Sequence, residues 1–222
     1  YPLSTVPVKI RNIANSFAVA VCRHCMQVII PVKDLRSSKS RLAHTLPVEA
    51  RQSLMAALLS DLLHTLIHST LVKDVTLVTR CPDVVQLAEL HHCTVLNVEE
   101  DRCLNSGISA AIAALTTRGT TQALILHADL PLATSSDIDD IIRAHQHNTA
   151  TVTLIPDNHS NGTNAMMLTL PTTMQFFYGN QSYSTHRDFC RTHGISEQTV
   201  YNTRVGSDID LWQDFAPLLS LR

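Results

Sequence analysis

The chain has 222 residues, 45% of them hydrophobic, and a formal net charge of -2. That is enough for one large α/β domain or two small ones with a full core, and it argues against wholesale disorder. The near-neutral balance lacks the basic field of a duplex nucleic-acid binder, and no apolar run reaches the ~18 residues of a membrane span.

Six scattered cysteines (Cys22, Cys25, Cys81, Cys93, Cys103 and Cys190) suit a reduced, cytoplasmic protein better than a disulfide scaffold. Cys22-Arg-His-Cys25 is a lone C-x-x-C without a second pair, and the N-terminus lacks a signal-peptide pattern. Residues 1–25 show no periodicity. They read as an extension of unknown role ahead of a single domain over residues 26–222.

Met26-Gln-Val-Ile-Ile-Pro-Val32 is β-branched and reads as a first, buried strand. Lys33-Asp-Leu-Arg-Ser-Ser-Lys-Ser-Arg41 follows, a basic loop with three serines. Hydroxyls, backbone N–H groups and cations together make a phosphate cradle. The alternative is an ordinary solvated loop, and the Walker A spacing is absent. A long helix is expected from Pro47 to about His68, with Leu54, Leu58, Leu62 and Leu66 on one face. Strands are expected at 74–79 and 94–97, with a helix from Pro82 to about His91 between them. An alanine-rich helix over 109–115 comes next. Asn105 and Ser106 at its start are either contacts for a ribose or base, or plain caps.

Gln122 to Ala128 reads as the central strand and leads into Ala128-Asp-Leu-Pro-Leu132. A carboxylate at the carboxyl end of a buried strand sits where open α/β sheets bind ligands. Asp129 is therefore either a hard oxygen ligand for Mg²⁺ or a cap for the next helix. That helix starts at Ser135 or Ser136, and Asp137, Asp139 and Asp140 complement its positive end. Another strand spans 150–155. The alternation to this point predicts a parallel sheet covered on both faces.

The pattern then changes. The strand at 163–170 arrives without a crossover helix, which allows it to run antiparallel. A helix from Tyr183 to about His193, a strand over 197–204 and a terminal helix over 211–219 complete the chain. Thr163, Gly179 and Ser182 form a second candidate anion site, with Ser182 at a helix N-terminus. Asp208 and Asp210 arrive late. Two anion sites bridged by carboxylate-bound Mg²⁺ describe transfer between two phosphorylated molecules. Like charges ~4 Å apart repel by about 4 kcal/mol at an effective dielectric near 20, so cations and a metal are needed there. A phosphomonoester nucleophile, with a second pKa of about 6, needs no general base.

Ile29-Ile-Pro-Val-Lys33, Lys39-Ser-Arg-Leu42, Ala128-Asp-Leu-Pro-Leu132, Gly162-Thr-Asn-Ala165, Tyr178-Gly179 with Ser182, and Ser207-Asp-Ile-Asp210 occur in this order. Together they resemble the 2-phospho-L-lactate guanylyltransferase family of deazaflavin coenzyme F-420 biosynthesis, over roughly residues 27–220. The resemblance implies a three-layer nucleotidyltransferase fold (Rossmann-like, GT-A type) with a mixed, mainly parallel sheet. It implies GMP transfer from GTP to 2-phospho-L-lactate, phosphoenolpyruvate or 3-phospho-D-glycerate, with release of pyrophosphate. By this resemblance Asp129 and Asp210 hold Mg²⁺, with Asp208 a weaker candidate, and Lys39 joins Asp129 and Asp210 as catalytic. Lys33, Lys39 and Arg41, with Asn105, meet the nucleotide, and Thr163, Gly179 and Ser182 hold the acceptor.

Two departures stand out. Leu211-Trp212 replaces the usual T-P after the last Asp-x-Asp, and Gln181 replaces the second glycine of the acceptor loop's G-x-G-S. The alternatives are a nucleotidyltransferase acting on a molybdopterin or sugar phosphate, whose usual L-A-G-G loop is missing here, and a non-catalytic nucleotide-binding domain. Exposed apolar helix faces leave room for a homodimer.

Overall fold

A computed structural model describes residues 26–97, 104–210 and 212–215. The N-terminal extension, Cys22, Cys25 and Cys103 lie outside the described residues. The sheet is built from β1 (Met26–Pro31), β2 (Val72–Val78), β3 (Thr94–Leu96), β4 (Gln122–Leu126), β5 (Val152–Pro156), β6 (Thr163–Thr169) and β7 (Glu197–Thr199). Their spatial order is β3-β2-β1-β4-β6-β5-β7. β1 pairs in parallel with β2 and β4, β2 with β3, and β5 with β7. β6 alone is reversed, lying antiparallel between β4 and β5. The sheet is thus mixed and mainly parallel, as expected.

Alternation along the strands sorts side chains into two cores. Val28 and Ile30 of β1, Leu124 and Leu126 of β4, and Ala165 and Met167 of β6 face one way. They meet α1 (Val48–Ile67), α2 (Pro82–Leu90) and α4 (Ser135–Gln146). Ile29, Ala123, Ile125, Met166 and Leu168 face the other way, toward α3 (Leu104–Thr117) and α5 (Ser182–Thr192). Leu124, Ile125 and Leu126 are fully buried. Each such side chain contributes about 1.5–3 kcal/mol by leaving water. A run apolar on consecutive positions therefore reads as a strand covered on both faces.

Four boundaries differ from expectation. α3 begins at Leu104, so Asn105 and Ser106 lie in its first turn rather than ahead of it. The cap of α4 is Thr134, not Ser135 or Ser136; its hydroxyl and the Asp137 carboxylate make a reciprocal capping box. β7 stops at Thr199; Val200 N–H still bonds Leu154 O of β5 at 2.9 Å, and residues 201–210 form a loop. The expected terminal helix is described only at Trp212–Phe215, as a 3-10 turn. No helix among the described residues is long and apolar enough to cross a membrane.

Candidate active site

The carboxyl ends of β1, β2 and β4 open onto one rim of the sheet. Because β6 is reversed, its starting residues reach the same rim: His127 N–H donates to the Asn164 carbonyl at 3.0 Å. A cavity of about 920 Å³ lies there, lined by Lys33, Arg41, Asp129, Asp208, Asp210, Gly179 and Ser182 among others. A smaller one of about 380 Å³ adjoins it at Lys33 and Leu104, walled by Pro31, Thr79, Arg80, Cys81 and Gly107.

Asp129 follows β4 by three residues, held in the turn that ends β4 before Pro131. Asp208 and Asp210 come from the loop after β7. One oxygen from each of these three carboxyls lies within 4.8 Å of the others. Carboxylates this close repel, and the pKa of Asp208 is raised accordingly. Burial first, then the charges of Asp129 and Asp210, push its carboxyl above the ordinary range, against a 3.2 Å hydrogen bond from Asn164 Nδ2. Three converging hard oxygens with surplus negative charge are the donor set that Mg²⁺ takes. The residues present fit that ion.

Lys39 lies between the carboxylates it was grouped with rather than on the cavity wall. Its side chain is 5% exposed and does not line the large cavity. Its ammonium donates to Asp129 and, at 3.1 Å, to Asp210 Oδ1. Burial opposes the Lys39 charge, but the two carboxylates outweigh it and raise the ammonium's pKa. Burial likewise opposes ionisation of Asp129, yet Lys39, then His127, hold its carboxyl below the usual range. Lys39 therefore reads as a bridge between carboxylates from distant parts of the chain. Lys33 and Arg41 are the members of the basic loop that face the cavity, and Arg41 also donates to Asp210 Oδ2 at 2.7 Å.

The second anion site is divided in a similar way. Ser182, the first residue of α5, lines the cavity. Its Oγ accepts the Thr163 backbone N–H at 2.9 Å, which leaves the hydroxyl proton to donate. Gly179 has φ 146, a backbone conformation that residues with side chains resist. Thr163 is fully buried behind this loop. Phe177 N–H donates to His186 Nε2 at 2.9 Å, so the neutral ring carries its proton on Nδ1 and donates to Thr163 Oγ1 at 3.0 Å. Burial, then the nearby His127, lowers the His186 pKa to about 4 and keeps that ring neutral. Asn105 does not present its amide freely either. Its Oδ1 accepts from Tyr178 N at 2.8 Å and its Nδ2 donates to Tyr178 O at 3.2 Å, pinning the residue before Gly179.

Residues given no site role from the sequence also shape the site. Asn164 joins the acidic loop to β6. His127 and Tyr178 line the cavity with ring centroids 5.3 Å apart. His127 Nε2 and the Tyr178 hydroxyl are buried and have no hydrogen-bond partner among the described residues. Side chains at the ends of strands were the available signal for His127 and Asn164. Asn164 and Tyr178 also stand inside the motifs that carry the family resemblance.

A Sphaerobacter thermophilus protein named phosphoenolpyruvate guanylyltransferase is 30% identical over 190 residues, covering 86% of this chain and 90% of that protein. Among solved structures, a Desulfovibrio desulfuricans G20 protein assigned as a nucleotide-diphospho-sugar transferase superposes with TM-score 0.68 at 12% identity, covering 87% of this chain and 85% of that one. A nucleotidyl transferase from Methanothermobacter thermautotroptrophicus gives 0.60 at 13% identity, covering 89% and 97%. At such identities the superpositions speak to fold alone. The model of the family described as guanylyl transferase CofC like matches residues 26–220, and the chain belongs to that family of nucleotidyltransferases.

Proposed function

We propose that this chain transfers GMP from GTP to a three-carbon phosphorylated acid, releasing pyrophosphate, as a step in coenzyme F-420 biosynthesis. The observation that carries the reading is the convergence of Asp129, Asp208 and Asp210 on the wall of a cavity that also holds Lys33 and Arg41. The family and the relatives' names support GTP as donor. Phosphoenolpyruvate is the acceptor in those names and heads the acids to test.

The chemistry follows from charge. A phosphate oxygen of the acceptor attacks the α-phosphorus of GTP, and the bond from that phosphorus to the bridging oxygen of pyrophosphate breaks. The acceptor phosphate is largely dianionic at neutral pH, so no side chain need remove a proton. Lys33 and Arg41 offset the approach of two anions and the charge gathering on pyrophosphate. Mg²⁺ on the three aspartates would supply further charge neutralisation at the phosphates. Ser182 and the N–H groups opening α5 offer donors to the acceptor. The nucleotide base is assigned to the smaller cavity, which adjoins the larger one at Lys33 and Leu104.

The test incubates the protein with Mg²⁺, GTP and each of the three acids, then identifies the adduct by mass. A GMP adduct of one acid, absent with CTP or UTP, is the expected result. Adducts formed only from other acceptors would overturn the acceptor class, and nucleotide binding without any turnover would overturn catalysis.

A further inference from the structure

The metal site draws its carboxylates from two stretches that are far apart in sequence. Residues 129–137 run from the end of β4 into α4, and residues 200–210 form the loop after β7. Backbone bonds pin the second stretch at two points, Val200 N–H to Leu154 O at 2.9 Å and Asn158 N–H to Gly206 O at 3.0 Å, and side chains hold it between them. Asn202 opens it with its Oδ1 accepting from Arg204 N and Val205 N, both at 3.0 Å. Gly206 lies so near Asn158 that an added Cβ would meet its Oδ1 at 2.4 Å. Asn158 Nδ2 donates to Thr203 O and Ser207 Oγ, at 3.1 and 2.8 Å.

Those bonds shape the loop. One further contact ties it directly to the Asp129 stretch. Arg204 donates to Asp137 through Nε at 2.7 Å and Nη2 at 2.6 Å, and Asn202 Nδ2 adds a third donor at 2.9 Å. Asp137 is 2% exposed and already belongs to the α4 capping box. A guanidinium fork on a carboxylate fixes direction as well as distance. Lys39 joins the same two stretches through Asp129 and Asp210, but a metal would compete for those carboxylates. The Arg204 pair lies outside the cavity lining and faces no such competition.

We infer that the Arg204–Asp137 pair is a positioning device that registers Asp208 and Asp210 against Asp129 for divalent-cation binding. The inference rests on the proposed metal role of those three aspartates. Partners behind a metal's ligands typically contribute 10–100-fold in affinity, and this pair acts one step further back, so about tenfold is expected.

The experiment measures Mn²⁺ binding calorimetrically on the purified chain, and initial rates against Mg²⁺ concentration. Arg204→Met should weaken Mn²⁺ about tenfold and raise the Mg²⁺ requirement alike, with kcat at saturating Mg²⁺ unchanged. Arg204→Lys, which keeps the charge but loses the fork, should recover part of the affinity. Asp139→Asn, which damages the other anchor of α4, should lower Tm without changing Mn²⁺ binding. Wild-type Mn²⁺ affinity in Arg204→Met, or equal weakening in Asp139→Asn, would overturn the positioning role. Asp129→Asn separates the two ideas: if Mn²⁺ binding survives that change, the metal reading itself fails. If binding is lost there yet kept in Arg204→Met, only the positioning inference falls.

Discussion

Two acidic clusters in this protein are built to opposite rules. At Asp137 and Asp139 every carboxylate oxygen has donors. Asp137 receives Arg204, Asn202 and Thr134, while Asp139 receives Ser69 Oγ at 2.5 Å, Thr70 Oγ1 at 2.6 Å and backbone N–H groups. Burial alone would raise both pKa values, but these donors reverse it and hold both carboxyls below the usual range. At Asp129, Asp208 and Asp210 three carboxyls share two cations, and Asp208 is left with its carboxyl raised. A saturated cluster serves the fold. An undersupplied one is where an incoming cation has work to do.

The largest effect that tests this contrast is Asp129→Asn. It should reduce GMP transfer by about 10³-fold or more while circular dichroism and Tm stay near wild type. Activity within tenfold of wild type would place Asp129 with the structural cluster. Asp137→Ala should behave in the reverse sense. Loss of the capping box alone costs about 1–2 kcal/mol, read as a lower urea midpoint.

A finer test uses pH. Asp208 has a folded-state pKa above the ordinary 3.8, so it favours folding least when ionised. In metal-free protein its unfavourable contribution grows as pH rises through the window above that value. Asp137, with a lowered pKa, contributes stability that is present above 3.8 and lost as pH falls below it. Thermal unfolding in chelator, followed from about pH 3 to about pH 7, should show Asp208→Asn removing the first trend and Asp137→Asn the second. Parallel profiles for the two variants would dissolve the contrast.

The smallest expected effect lies at Gln181, which holds φ 55 at the start of α5 and lines the cavity. Gln181→Gly should stabilise the chain by about 1 kcal/mol. It should also alter the ratio of kcat/KM among acceptor acids while leaving the KM for GTP in place. An unchanged ratio would remove Gln181 from the acceptor site.

The order and type of most elements were legible because the strands are short apolar runs bounded by Pro, Gly and polar turns. Even the reversal of β6 was signalled, by a strand that followed another with no helix between. The convergence of residues 129 and 210 came through shared motif order, since nothing local to either residue reports the other. What sequence could not convey was which polar groups are already engaged. Lys39 reads as a phosphate contact until its ammonium is found between two carboxylates. Asn105 reads as a ligand contact or a cap, and it lines the cavity with its amide engaged on the Tyr178 backbone. Asp139 reads as helix-dipole compensation, yet its oxygens hold the turn at Ser69 and Thr70. Partner choice is a tertiary property, and short-range pattern carries little of it.

The reversed strand β6 has one further consequence. It makes a seam through the sheet, with β3, β2, β1 and β4 on one side and β5 and β7 on the other. The basic loop and the smaller cavity belong to the first side, whereas Ser182 and Gly179 belong to chain that follows β6. Under the proposed function, donor and acceptor recognition fall on opposite sides of that seam, tied across it by Asn105 on the Tyr178 backbone.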